Sequence, residues 1–375
     1  MQTATPLRSG GRIRTLPSMV FERLRETAER RNPATKPTRP TVRPAHSVAP
    51  ASRTRTLRVA LALGTLYLVW GSTYLAAEFV LPAIPPFLIA GLRFSLCGAL
   101  LYPVIRAMGA VRPTRAHWIT AGASGLLMIL GGNALVFVAQ QRITSSLAAL
   151  LVATVPLFMA LFGWIAGMRG RPLRVELALL ALGLVGLGII LRPSQTADNP
   201  AAPGGALLVL FAAACWAIGS LVARTREAHP SPMLFAAMQM VAAGPVLLGI
   251  ATLTGETDRI VFDALTPAAL GAFGYLTLFG SFAGFCVYVW LVRNAEPVAA
   301  TSYAYVNPVV AIALGSAILD EPIPPGMIAG GALVLTSVAL LLTGFGRGKS
   351  QPTPAPRRAG SPAIQPTSAR NATAP

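Results

Sequence analysis

"VWGSTYLAAEFVLPAIPPFLIAGLRF", from Val69 to Phe94, decides the fold. This stretch is apolar over nearly its whole length, yet it carries Glu78 and Arg93. Similar runs continue along the chain, whose mean hydropathy is +0.60 and in which only 12% of the residues are charged. Because lipid offers no partners to backbone polar groups, only helices or closed barrels cross a bilayer. The runs are too continuously apolar for alternating barrel strands, so the sequence predicts an all-α, polytopic membrane protein.

Ten apolar segments are predicted to cross the membrane as helices. They are 57–77, 86–105, 117–139, 144–166, 175–191, 204–223, 231–253, 267–291, 298–318 and 326–346. With both chain ends in the cytoplasm, the inside loops hold nine arginines and the outside loops three. That bias satisfies the positive-inside rule, so both termini are predicted to be cytoplasmic.

The net charge of +18 is concentrated at the chain ends. Thirteen of the 31 basic residues lie in the first 58 residues, and five more lie between Arg347 and Arg370. Residues 1–56 and 347–375 are predicted to be disordered cytoplasmic tails, the first strongly basic. Basic tails beside a membrane favour anionic lipid rather than nucleic acid, so the predicted partners are the lipid bilayer and a small-molecule substrate.

The chain also repeats itself. A shift of 152 residues places Pro156 on Pro308 and Pro172 on Pro324, so residues 57–191 correspond to residues 204–346. Each half contains five predicted spans, and an odd number forces two tandem copies to insert with opposite orientation. Inverted repeats are a recurrent plan of secondary transporters, with the binding site near the midplane between the halves.

"WGSTYLA" (70–76) followed by "IPPFLIAGLRF" (84–94) resembles the first EamA domain of the drug/metabolite transporter superfamily. Residues 276–335 resemble the second such domain. The resemblance implies ten helices in two inverted five-helix halves, a central cavity and small-molecule transport, often export. The family often shows Gly-Glu-Pro after the ninth helix, where this chain has Asp320-Glu321-Pro322.

Arg93 is the most unusual polar residue, because a cation within a span is costly unless it pairs or reaches the membrane surface. Two interpretations stay open. In the first, Arg93 pairs with Glu78 or extends to the outer headgroups. In the second, it helps to hold a substrate carboxylate or gates the outer mouth. Trp70, Thr73 and Tyr74 share one helix face, which either packs against another helix or lines a cavity. Trp216, the repeat partner of Trp70, favours the cavity.

Further substrate-binding candidates lie deep in other predicted spans. Asn133 must face a helix or water, because its amide is costly in lipid. Tyr303 and Asn307, four residues apart on one helix face, are the strongest candidates for substrate contact. Pro156 and Pro308 each remove a backbone hydrogen bond and are either simple kinks or cavity-lining hinges.

These features predict a secondary transporter of the cell membrane, in bacteria the inner membrane. It is predicted to move small organic metabolites, such as amino acids, related compounds or drugs, by alternating access and in the export direction. The three histidines, in a tail or inner loops, form no catalytic set, so no enzyme, catalytic residue, metal or cofactor is predicted. A membrane-embedded enzyme and a non-transporting scaffold are the alternatives, and a homodimer is possible.

Overall fold

A computed structural model describes residues 53–168, 174–192, 202–225, 231–295 and 302–343. Within these ranges the chain forms helices and no β-strand. The predicted tails, 1–56 and 347–375, lie outside the described residues except for residues 53–56, which begin the first helix.

Ten helices follow one another in the described part of the chain. They are α1 (Arg53–Val80), α2 (Pro86–Ala107), α3 (Arg115–Gln140), α4 (Ser145–Ile165), α5 (Arg174–Ile190), α6 (Ala202–Val222), α7 (Pro232–Leu253), α8 (267–294), α9 (Tyr303–Leu319) and α10 (Pro325–Thr343). Two short 3-10 turns, Thr257–Arg259 and Phe262–Ala264, lie between α7 and α8.

Local sequence signals set many of the helix ends. Thr144, Ser231 and Thr266 each precede a helix and accept a hydrogen bond from a first-turn backbone N–H, which would otherwise lack a partner. Gly109 and Gly255 follow α2 and α7 with φ of 88° and 68°, a left-handed conformation that ends a helix at little cost for glycine.

Eight of the helices in the described residues are long and apolar enough to cross a membrane, judged by length and composition. The other two, α5 and α9, have 17 residues each. At 1.5 Å per residue such a helix spans about 26 Å, close to the roughly 30 Å hydrocarbon core. The predicted start of the ninth span, residue 298, lies outside the described residues.

The helices α2 and α7 pack closely in opposite directions. A β-carbon placed on Gly91 would lie 2.9 Å from the backbone nitrogen of Leu248, and one on Gly98 would lie 2.8 Å from that of Val241. Moving forward along α2 therefore moves backward along α7. Glycine allows this approach because it carries no side chain between the two backbones.

The helices α5 and α10 are also antiparallel. A β-carbon on Gly183 would lie 3.1 Å from Oγ of Ser337, and one on Gly186 would lie 2.6 Å from the carbonyl oxygen of Gly330. The small residues again bring two backbones together. This pair closes the side of the bundle remote from α2 and α7, with which it forms no major contact.

Two further pairs connect the middle of the bundle. A β-carbon on Gly219 in α6 would lie 3.1 Å from the carbonyl oxygen of Ser124 in α3. Earlier in α6, Trp216 packs against Gly132, which comes later in α3, so α3 and α6 are antiparallel. In contrast, α1 and α9 are parallel. The Tyr67 hydroxyl bonds to that of Ser302, and four residues later Gly71 approaches the carbonyl of Asn307.

Contacts between the halves occur in equivalent pairs. A β-carbon on Gly98 would meet the nitrogen of Val241 at 2.8 Å, and one on Gly244 would meet that of Ser95 at 2.6 Å. Adding 146 to the residue numbers Gly98 and Ser95 gives Gly244 and Val241. The contact of Gly98 with Val241 is therefore matched by a contact of Gly244 with Ser95, in which each residue is replaced by its equivalent in the other half.

Three helices depart from regular α-geometry beside the centre of the bundle. The π-helical segments Leu126–Ala134 in α3 and Leu276–Ala283 in α8 occupy equivalent places in the two halves. The helix α4 is interrupted at residues 153–154, and Pro156 lies in the first turn after the break, where its missing N–H costs little. The helix α9 continues through Pro308. The aligned prolines therefore have different local effects.

Candidate functional site

A cavity of about 540 Å³ lies between the two halves of the bundle. The eight residues predicted from the sequence to contact substrate all line this cavity, as do both predicted hinge prolines. They are Trp70, Thr73, Tyr74, Arg93, Asn133, Trp216, Tyr303, Asn307, Pro156 and Pro308. The structure thus brings the set together, while substrate contact and hinge motion stay predictions.

Arg93 lies in the cavity wall with only 4% of its surface exposed. Its Nε donates a hydrogen bond to Oγ of Ser281, and its guanidinium carbon lies 4.9 Å from the ring centre of Phe94. The Glu78 carboxylate instead accepts a hydrogen bond from Nε2 of Gln140 at 2.8 Å. The expected Glu78–Arg93 pair does not form, and extension of Arg93 to the headgroups is also wrong, because the side chain is buried.

An aromatic cluster forms the cavity wall beside Arg93. The Trp70 ring lies 4.9 Å from Tyr303, 5.4 Å from Tyr288 and 5.9 Å from Phe285, measured between ring centroids. The Trp70–Tyr303 contact is edge to face at 89°, a favourable arrangement of aromatic quadrupoles. Trp70 also faces Gly284 in α8, where a side chain would not fit. The cluster presents a broad apolar surface to any bound molecule.

At the positions equivalent to Trp70 and Arg93, the second half carries Trp216 and the uncharged Gln239. Trp216 faces Gly132 in α3, as Trp70 faces glycine in α8. Gln239 stands 146 positions after Arg93, the same interval that separates the two tryptophans. Its Nε2 donates to Oγ of Ser124 at 2.7 Å. At these equivalent positions the first half therefore carries a cation and the second half an amide.

Two asparagines provide acceptors in the cavity wall. The Oδ1 atoms of Asn133 and Asn307 are buried, and neither has a hydrogen-bond partner among the described residues. A buried carbonyl oxygen without a partner costs free energy, so each can accept from an N–H or O–H group of a bound molecule or from water. Thr73, in contrast, donates its hydroxyl to the backbone of Trp70 at 2.6 Å.

Three carboxylates, Glu78, Glu256 and Glu321, lie outside the cavity lining at helix ends on one side of the bundle, and they define what we call the acidic end. Glu321, in the loop between α9 and α10, accepts the backbone N–H groups of Ser145 and Ser146 at 2.9 and 3.0 Å. It also accepts the Ser146 hydroxyl. These bonds hold the α9–α10 loop on the first turn of α4, where the helix dipole favours negative charge.

Glu256 makes a second connection at the acidic end. It follows α7, is 3% exposed, and accepts the backbone N–H of Leu88 at 2.9 Å. Burial raises the pKa of the Glu256 carboxyl, and the hydrogen bond from Leu88 opposes this effect. The loop between α7 and α8 also contacts the α1–α2 connection, because the Val261 N–H donates to the Ala83 carbonyl at 3.0 Å.

The opposite end, which we call the basic end, is defined by Arg224 and Pro232. Both residues line the cavity and both are exposed in the described part of the chain. Leu341 and Leu342 near the end of α10 are partly buried and line the same region. The cavity therefore reaches exposed residues at the basic end and stops at buried Gln140 towards the acidic end.

Metal binding finds no support in the described residues. They contain no group of three or more His, Cys, Asp and Glu side chains that could hold an ion. Cys97 and Cys215 are buried and Cys286 is partly buried, and all three are free thiols. The geometry instead suits an organic molecule with both polar and apolar surface.

The sequence profile of the EamA-like transporter family matches residues 58–192 and residues 203–343. Together these matches cover more than half of the chain. The chain belongs to the EamA-like transporter family. Membership explains the apolar helices and the cavity together, and it makes this EamA protein a multi-pass membrane protein of a transporter family.

Named relatives agree with this assignment. The chain is 39% identical over 263 residues to "Uncharacterized inner membrane transporter YedA" of Escherichia coli (strain K12), covering 69% of this chain and 82% of that protein. It is 26% identical over 284 residues to "Probable amino-acid metabolite efflux pump" of Salmonella typhimurium, covering 74% and 92% of the two chains. A solved structure described as "Crystal structure of protein" shares the fold, with a TM-score of 0.54 and 21% identity over 76% of this chain and 96% of that chain.

Sequence reasoning missed several cavity residues of this EamA protein. Gln239 was detectable, because the interval that relates Trp70 to Trp216 also relates Arg93 to Gln239. Gln140, at the end of α3, is buried and lines the cavity. Gly280 carries no chemical signal of its own, since its importance comes from the side chains that surround it.

Proposed function

We propose that this EamA protein is a secondary transporter that moves small organic metabolites across the cell membrane by alternating access. The observation that carries the proposal is one cavity of about 540 Å³ with walls from both halves. It stops at buried Gln140 towards the acidic end and reaches exposed residues at the other end. Such an arrangement is suited to rocking of the halves around a fixed site. One chain contains both walls, so we expect transport by the monomer, and a homodimer stays a prediction.

We further propose that all ten helices cross the membrane. The antiparallel packing of α3 and α6 supports this, because an even number of crossings must separate antiparallel helices. Since α4 supplies one crossing, α5 must supply the other. The antiparallel pair α5 and α10 likewise requires α9 to cross, because α6, α7 and α8 supply only three crossings.

The same directions support inverted repeats. The helices α2 and α7 are equivalent in the two halves and run antiparallel, and so do α5 and α10. Equivalent helices of opposite direction are what an inverted repeat requires. We assign residues 57–191 and 204–346 to the two halves on this basis.

The distribution of charge supports one orientation. We propose that the acidic end faces the outside and the basic end, with both tails, faces the cytoplasm. The cavity then opens to the cytoplasm, where an exporter takes up its solute. A relative named as a probable amino-acid metabolite efflux pump supports export and favours amino acids or related compounds.

Transport is tested with purified protein in sealed vesicles loaded with a mixture of cell metabolites. We expect protein-dependent, saturable efflux of a subset of solutes, and Tyr303→Ala or Asn307→Ala should reduce it. Tyr305→Ala is the matched control, because Tyr305 lies on the same helix but outside the cavity lining. Unchanged efflux in both cavity variants would contradict the site, and no efflux of any solute would contradict the function.

Orientation is tested separately with single cysteines introduced into each tail. A membrane-impermeant thiol reagent added to intact cells should label neither tail until the membrane is opened. Labelling of one tail from outside would contradict an even number of crossings. Labelling of both would reverse the proposed orientation and leave the crossing number unchanged.

A further inference from the structure

We propose that Arg93, Ser281 and Gly280 form a subsite for the carboxylate of the transported molecule, with the Trp70 cluster as the adjoining apolar surface. This inference rests on the proposed function and names its substrate class. The molecule is a small monocarboxylate with an apolar or aromatic body. The two asparagine acceptors would pair with N–H or O–H donors on the same molecule.

The Arg93 guanidinium is buried, and only one of its three nitrogens has a hydrogen-bond partner among the described residues. The side chain is 4% exposed, and its Nε is occupied by Ser281. Within the described residues neither a carboxylate nor any other hydrogen-bond acceptor engages its two terminal nitrogens. A buried cation without a counter-ion is unfavourable, and a planar guanidinium suits a carboxylate in bidentate geometry. The bond to Ser281 fixes the plane of the fork before the ligand arrives.

Gly280 keeps the space around the guanidinium open. A β-carbon at this position would lie 3.6 Å from Nη2 of Arg93 and 3.0 Å from Cγ2 of Thr73. Any side chain there would cover the terminal nitrogen and press on Thr73. Glycine therefore leaves Nη2 free for a ligand.

The π-helical segment of α8 explains how the glycine is held in place. Gly280 and Ser281 both lie within Leu276–Ala283, and such segments are frequent at functional sites. The Gly280 carbonyl accepts the indole N–H of Trp70 at 3.1 Å. Trp70 thus fixes the backbone of the subsite with its polar edge and faces the aromatic cluster with its ring.

The charge of the site favours a carboxylate over a phosphate. Among the described residues that line the cavity, the cations are Arg93 and Arg224, and Arg224 lies at the exposed basic end. A phosphate dianion buried beside one guanidinium would keep an uncompensated charge, whereas a carboxylate would be neutralised. Gln239, at the equivalent place on the other wall, adds no charge.

The test measures binding of matched acid and amide pairs to purified protein by calorimetry: leucine with leucinamide, and phenylalanine with phenylalaninamide. We expect the wild-type protein to prefer at least one acid over its amide by about 10- to 100-fold, the range for hydrogen bonds to a charged group. Arg93→Gln should reduce that preference to within about twofold. Arg106→Gln, on the same helix but outside the cavity lining, should keep it.

A second variant tests the subsite even if Arg93→Gln does not fold. Gly280→Ala combined with Thr73→Ser removes the contact with Cγ2 of Thr73 while the new methyl group still covers Nη2 of Arg93. This double variant should elute as a monodisperse peak in size-exclusion chromatography and lose the acid preference. Retained preference in either folded variant would overturn the subsite, as would a wild-type protein that binds acids and amides equally or binds neither.

Transport and binding outcomes are separable. Efflux of solutes without a preference for acids would overturn the carboxylate subsite and leave the proposed function intact. Acid-selective binding without efflux in sealed vesicles would support the subsite and overturn transport.

Discussion

Replacing Glu321 by glutamine removes the charge that joins the α9–α10 loop to the start of α4. The carboxylate accepts two backbone N–H groups, at 2.9 and 3.0 Å, and one hydroxyl. Glutamine keeps one acceptor oxygen but turns an NH₂ group towards the remaining donors. We therefore expect the free energy that favours the closed acidic end over the open one to fall by about 2–4 kcal/mol. Charge-assisted hydrogen bonds contribute about 1.5–3 kcal/mol each. At about 1.4 kcal/mol per tenfold change, the open population rises roughly 30- to 700-fold.

The assay places a single cysteine at Ala149, which lines the cavity in α4 and is 1% exposed. The three native cysteines are replaced by alanine, and a membrane-impermeant maleimide is added to intact cells. If opening is a rapid pre-equilibrium, the labelling rate follows the open population. We expect at least a tenfold faster rate in Glu321→Gln.

The neighbouring carboxylate supplies the control. Asp320 is exposed and adopts a left-handed conformation, φ 51°, which asparagine tolerates well. Asp320→Asn therefore removes the same charge from the same loop without breaking a bond to α4. Equal labelling rates in Glu321→Gln and Asp320→Asn would refute the reasoning that this bond holds the acidic end closed.

Three further perturbations test other parts of the molecule. Gly186→Leu should separate α5 from α10 and destabilise the protein by at least about 2 kcal/mol, measured by thermal unfolding in detergent, whereas Gly188→Leu, with nothing within 4 Å, should be nearly neutral; equal effects would contradict the packing. Because burial raises the pKa of Glu256, its contribution to stability is fully present below the unfolded pKa of about 4.3 and is lost as pH rises through the folded pKa. The thermal unfolding midpoint of Glu256→Gln should therefore rise relative to that of the wild-type protein as the pH increases from about 4. A difference between the two midpoints that stays constant with pH would exclude this linkage. Pro156→Ala should slow efflux more than Pro308→Ala, because only Pro156 adjoins a helix break; identical rates would count against a hinge in α4.

The helices and their order could be predicted from the sequence, because a run of about 20 apolar residues is sufficient to mark a helix that can cross the bilayer. The predicted span 86–105 became Pro86–Ala107, and 231–253 became Pro232–Leu253. The repeat was also readable, since glycines and prolines mark close packing and helix ends at fixed intervals. These signals need no knowledge of which helices touch.

The hydrogen-bond partners of the charged residues could not be predicted from the sequence. Arg93 meets Ser281, 188 positions away, and Glu321 meets Ser146, 175 positions away. Glu78, although near Arg93 in the sequence, bonds to Gln140. A side-chain hydrogen bond depends on angstrom distances between helices, and no periodicity encodes them.

The sequence by itself determined a helical membrane protein with two related halves, because burial in lipid forces each apolar segment to satisfy its own backbone. Only the tertiary structure decided that Arg93 faces a cavity without a counter-ion among the described residues, and that Glu321 joins the α9–α10 loop to the start of α4. The physical reason is that lipid selects the helix, whereas the packing of small residues between helices selects the distances at which charges and polar groups meet.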